Sequence, residues 1–261
     1  MGMTLRTRNN IMTLSLTLCL GLIGYILSLT FGGATRGVSF LFTQDLVFMG
    51  IQTAIPLTIA LFGILSFFRY FRKVTGSLIF FFFIFLVSLL FEAAPFIGHY
   101  WRLGGMPFDW MISLTRARIF GLATGLLALF VASVYTAGIT YKHQGTTLLI
   151  ILGFAYGIAG LVPINTSEIG LGGIMEIGGL NQLIALKAVV MGLTFINFLY
   201  STKIHQNMDD LWIGITTLGL LGGRWLMHGS QSLATLLLGG GLLTLGAIFY
   251  GKKVFSLYLW Y

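Results

Sequence analysis

A chain of 261 residues, 57% of them hydrophobic and only 8% charged, falls far below the roughly 25% charge of an ordinary soluble domain, and no polar stretch is long enough for a separate soluble domain. The formal net charge of +8 does not point to nucleic acid, because most Lys and Arg punctuate the ends of apolar segments, where they meet lipid headgroups and set orientation. A single cysteine, Cys19 inside the first apolar run, excludes an intramolecular disulfide and a cysteine metal cluster.

A spanning helix needs about 20 mostly apolar residues. Stretches of that kind are predicted at 11–31, 46–68, 76–98, 118–140, 146–164, 181–200, 211–227 and 233–254. The expected fold class is therefore an all-α integral membrane protein, a bundle of about eight transmembrane helices, or seven if the short 211–227 stretch does not span. The whole of 1–261 reads as one polytopic membrane domain. The first stretch follows Arg6 and Arg8 and ends at a "GGA" that resembles a cleavage site. Its apolar run exceeds the 7 to 15 residues of a signal-peptide core, and it reads as a retained anchor.

Basic residues set the expected orientation. With the N-terminus inside, Arg6, Arg8, Arg69, Arg72, Lys73, Lys142, Lys203, Lys252 and Lys253 fall on the inner side, and Arg36, Arg102, Arg116, Arg118 and Arg224 on the outer side or outer half. This imbalance predicts both termini in the cytoplasm and places the chain in the cytoplasmic membrane.

The third stretch holds "LLFEAAPFIGHYWR" at 89–102, where a carboxylate enters a hydrocarbon run. Such a residue has a partner or a function. Taking mid-span as the bilayer centre, Glu92 lies roughly 7 Å outward, Lys187 of the sixth span roughly 6 Å and Arg224 of the seventh roughly 7 Å. Three charges on three helices share one depth, which predicts a buried ion pair of Glu92 with Lys187 or Arg224. The surplus positive charge calls for an anion or water.

Further polar groups gather on the same side. If the helix continued through Pro95, Glu92 would share a face with His99 and Arg102, although proline kinks or ends a helix. Arg116 and Arg118 in "TRARIF" are expected at the outer N-terminus of the fourth span, where the dipole favours an anion. Only one of the two should face the bundle. The loop 163–182 carries Glu168 and Glu176, five glycines and several apolar residues but no Lys or Arg. It reads as an outer glycine-rich cap or a shallow re-entrant segment. Gly121 with Gly125 and Gly153 with Gly157 have the spacing that lets membrane helices approach closely, and the Phe run at 80–83 is a lipid-facing or packing surface.

The chain contains no HExxH, GxSxG or GxxxxGK[ST] signature and no pair of metal-spaced carboxylates. No metal and no cofactor is expected. Two alternatives involve cofactors: haem held by pairs among His99, His228, His143 and His205, and quinone contacted by His228 and Arg224. The leading functional expectation is transport or sensing of an anionic or zwitterionic solute in an outer-leaflet polar pocket. A second is a noncatalytic membrane subunit of a larger complex, including a quinone-contacting anchor. A third is an enzyme acting on a lipid-linked phosphate at the outer face, with Arg116, Arg118 and Arg224 holding anionic oxygen and Glu92 or His99 as acid or base. Expected partners are the lipid bilayer and other membrane proteins or further copies of this chain.

Overall fold

A computed structural model describes residues 5–35, 44–70, 76–138, 143–169, 174–228 and 232–259. The helices are α1 (Leu5–Thr35), α2 (Gln44–Tyr70), α3 (Ser77–Ser88), α4 (Ala94–Leu103), α5 (Phe108–Thr136), α6 (Gln144–Leu161), α7 (Leu180–His205), α8 (Met208–His228) and α9 (Leu233–Leu259). A 3-10 turn, Leu89–Ala93, joins α3 to α4. Arg36, Arg72, Lys73 and Lys142 of the charge count lie outside the described residues, as does 170–173 in the glycine-rich loop.

Among the described residues, seven helical stretches are long and apolar enough to cross a membrane, with α3, the turn and α4 acting as one, and they mark a multi-pass integral membrane protein. The stretch predicted at 211–227 forms α8, whose 21 residues span about 32 Å. It is not apolar enough to count with the seven, because it carries Asp209, Asp210, Arg224 and His228. Asp210, Thr216, Thr217 and Arg224 are buried inside the bundle, so its polarity is directed inward.

Burial separates centre from periphery. The most apolar stretch of Ser77–Leu103 is 78% buried and that of Phe108–Thr136 is 61%, against 11% for Arg6–Phe31 and 17% for each of the α6 and α7 stretches. The α3–turn–α4 unit and α5 are thus the core, and the outer helices turn Leu14, Leu18, Phe154, Tyr156, Val189 and Ile196 outward, as a hydrocarbon solvent allows. Phe80, Phe81, Phe82 and Phe83 are all buried, which settles the Phe run as packing. Tyr250 of α9 closes on it, its ring 4.2 Å from that of Phe82.

Two boundaries differ from the sequence reading. The fourth span starts at Phe108, with Pro107 at its N-cap and Asp109 in the first turn. "PFDWMISL" continues the helix outward, so Arg116 and Arg118 are not at a helix N-terminus and the helix dipole does not act on them there. The third span runs past Gly98 to Leu103 because Pro95 falls in the first turn of α4, where its missing N–H has no intrahelical partner to lose.

The loop after α6 is a small hairpin. Strand β1 (Ile164–Ile169) pairs antiparallel with β2 (Met175–Ile177), Ile164 opposite Ile177 and Asn165 opposite Glu176. Ile174 and Met175 are buried, and the Met175 N–H donates to Thr115 Oγ1 of α5 at 3.1 Å. Gly179 takes a left-handed conformation (φ 66°) at the start of α7, a geometry that favours glycine.

Candidate functional site

The 3-10 turn is the hub of the site. It presents the Glu92 side chain and, at its junction with α3, the hydroxyl and carbonyl of Ser88. Arg224 reaches this turn from α8: its Nε donates to Glu92 Oε1 at 2.7 Å, Nη1 to Ser88 Oγ at 3.0 Å and Nη2 to the Ser88 carbonyl at 3.1 Å. From α5, Arg118 Nε donates to Glu92 Oε2 at 3.4 Å. Glu92 is 3% exposed, Arg224 4% and Arg118 6%, so this is a buried carboxylate held between two guanidinium groups. Thr53 of α2 adds a weak hydrogen bond to the Glu92 carbonyl, at 3.4 Å.

Glycine makes this approach geometrically feasible. A Cβ on Gly125 would lie 2.3 Å from Arg224 Nη1 and 2.4 Å from Ser88 Oγ, and one on Gly121 would lie 2.3 Å from Phe91 Cβ. The Gly121–Gly125 pair thus seats the 3-10 turn and the guanidinium of Arg224 on α5. By contrast, a Cβ on Gly153 or Gly157 would meet nothing within 4 Å.

Lys187 on α7 is buried and lies within electrostatic range of Glu92, Arg118 and Arg224. It makes no ion pair or hydrogen bond among the described residues. A cavity of about 40 Å³ adjoins it, walled by Ile119, Leu122, Leu183 and Val190 among others. Such a volume exceeds the minimum needed to hold a water. The buried polar atoms with no hydrogen-bond partner among the described residues include Arg118 Nη2 and His228 Nδ1. His228 sits at the end of α8 and feels the charges of Arg118, Lys187 and Arg224.

Two arginines hold one carboxylate, and with the buried Lys187 the three basic side chains leave a formal surplus of two positive charges. The sequence matches no known family model and no curated protein.

The other sequence-selected residues lie apart. Arg116 is exposed and donates through Nη1 to the Ala159 and Gly160 carbonyls at 2.8 and 2.9 Å, capping the last turn of α6. His99 is half-buried, its ring edge-on to Tyr100, and Arg102 is exposed. Glu168 lies on β1 and Glu176, exposed, on β2. No group of three or more His, Cys, Asp or Glu able to hold a metal occurs among the described residues. The spacing of Gly121 and Gly125 points to close helix packing, and α5 does pack closely there, whereas a serine inside an apolar helix, as at Ser88, carries no signal of a tertiary partner. Arg118 was credited to a helix end, because "PFDWMISL" reads as the loop before the helix.

Proposed function

We propose that this protein binds an anionic or zwitterionic solute in the outer half of the membrane and transports or senses it, in the cytoplasmic membrane with both termini inside. The observation that carries this reading is the surplus of buried positive charge: Arg118, Lys187 and Arg224 against a single Glu92, with Arg118 Nη2 and His228 Nδ1 unpartnered among the described residues. Intramembrane charges of this kind mark substrate and ion pathways. Glu92 organises the site by fixing both arginines. Both of its oxygens are engaged by arginine, which speaks against its acting as an acid or base. The β hairpin docks on Thr115, one helical turn along α5 from Arg118.

The test is the thermal unfolding of the full-length, detergent-solubilised protein in chloride, phosphate, sulfate and glutamate. At a concentration a hundred times its dissociation constant, a bound anion should raise the midpoint by about 5 °C. The Lys187→Met variant should fold and lose that rise. Equal behaviour of Lys187→Met and the unaltered protein, or no response to any anion, would contradict the reading. Stoichiometric co-purification of another protein that is lost in Lys187→Met would assign the charges to assembly instead.

A further inference from the structure

A second site lies at the opposite end of the bundle, independent of the anion cluster. Helices α2 and α9 touch where Ile55 meets Gly240, a Cβ on Gly240 coming 2.7 Å from Ile55 Cδ1. Beyond that contact, toward the end carrying Arg69 and Lys252, a groove of about 510 Å³ lies between them, floored by Phe67, Phe82 and Leu86. Tyr70 and Phe255 meet edge-on at its far end, ring centres 5.4 Å apart.

The groove wall is chemically apolar even where the sequence is not. The hydroxyls of Thr58, Ser66 and Thr244 each donate to a carbonyl one turn back in their own helix, at 2.7 Å in all three cases. They offer a ligand little hydrogen-bonding capacity. Charge appears only at the rim, and it is positive: Lys252 is exposed, and exposed Arg69 lies over the Tyr70 ring, 5.5 Å from its centre. Among the described residues no carboxylate lines the groove, and the nearby Lys253 is already paired with Asp209.

Dimensions select the occupant. From Thr58 to Tyr70 the lining runs about 18 Å along α2, a little over half the roughly 30 Å hydrocarbon core, and thus the depth of one leaflet. Spread over that length, 510 Å³ gives a width of about 6 Å, well below the 10–12 Å of a helix with its side chains. A single hydrocarbon chain fits where a helix does not. We infer that the α2–α9 groove holds one acyl chain of an anionic phospholipid, from the leaflet on the Lys252 side, with its phosphate at Arg69 and Lys252.

The fold supplies a clean way to fill the groove. Gly251 lines it, and a Cβ there meets nothing within 4 Å, so Gly251→Leu occupies the space without a backbone clash. Ser66→Leu, from the facing helix, provides an independent second block. The experiment embeds the full-length protein in nanodiscs of equimolar phosphatidylcholine and phosphatidylglycerol, releases it stepwise in a native mass spectrometer and counts retained lipids. The unaltered protein should keep one phosphatidylglycerol, and both filled variants should lose it with unchanged helical circular dichroism. Arg69→Gln and Lys252→Gln should each lower the preference for phosphatidylglycerol about fivefold. Equal retention of the two lipids by the unaltered protein would overturn the inference. So would retention of phosphatidylglycerol by both filled variants, or a polypeptide in place of the lipid.

Discussion

Arg224 commits all three of its nitrogens to a single turn of a neighbouring helix, while Arg118 engages only one and Lys187 none among the described residues. This gradation separates a structural cation from ones still available to a ligand. Removing the shared anion leaves three buried positive charges uncompensated, so Glu92→Gln should cost about 3–5 kcal/mol, read from denaturant unfolding in mild detergent. An unchanged stability would mean that the pair does not hold the helices together. Gly125→Ala puts a methyl group into the space of Arg224 Nη1 and should cost about 1–3 kcal/mol by the same assay, while Gly153→Ala on an open face should be near neutral. At this scale the sequence was partly legible. Placing charges by depth picked Glu92, Lys187 and Arg224, because helical rise converts residue number directly into position across a bilayer. The small-residue spacing marked Gly121 and Gly125 as a packing pair without naming their partners, and nothing marked Ser88, whose role exists only once α8 lies against the turn.

The elements show how a polar cluster is accommodated in an apolar bundle. The third span is not a uniform helix: it narrows to a 3-10 turn at Leu89–Ala93 and restarts with Pro95 in the first turn of α4. The Ser88 carbonyl at that junction accepts from Arg224 Nη2. Helix α8, too polar to face lipid all round, is held against α9 by a stripe of glycines. A Cβ on Gly223 would meet the Leu243 nitrogen at 2.5 Å and the Gly239 oxygen at 2.7 Å, and one on Gly246 would meet the Leu220 nitrogen at 2.9 Å. Gly223→Leu or Gly239→Leu must therefore separate the two backbones, and either should move Arg224 off Glu92 and lower the unfolding midpoint more than Gly222→Leu, where a Cβ meets nothing within 4 Å. Equal effects at Gly222 and Gly223 would refute this packing. The apolar runs revealed these helices because span length is fixed by the bilayer. The hairpin at 164–177 was not foreseen, since "INTSEI" lacks the alternation of a half-buried strand and its pairing depends on Met175 docking to Thr115.

Across the whole molecule, two sites of opposite character occupy opposite ends: a buried cationic cluster near the hairpin, and an apolar groove with a basic rim beside Lys252. The orientation expected from the basic residues puts the first outside and the second inside. In a Cys19→Ser background, Lys203→Cys should react with a membrane-impermeant thiol reagent only from the cytoplasmic side, and Glu176→Cys only from the outside; both are exposed positions. Labelling from one and the same side would break the topology. Native mass spectrometry of the gently solubilised full-length protein reads out whether the outer cluster holds an anion. A small anion retained on release from the micelle, and absent from a folded Lys187→Met variant, is the predicted result. A chain that carries no anion at any stage of release, or one whose anion persists in Lys187→Met, would contradict it.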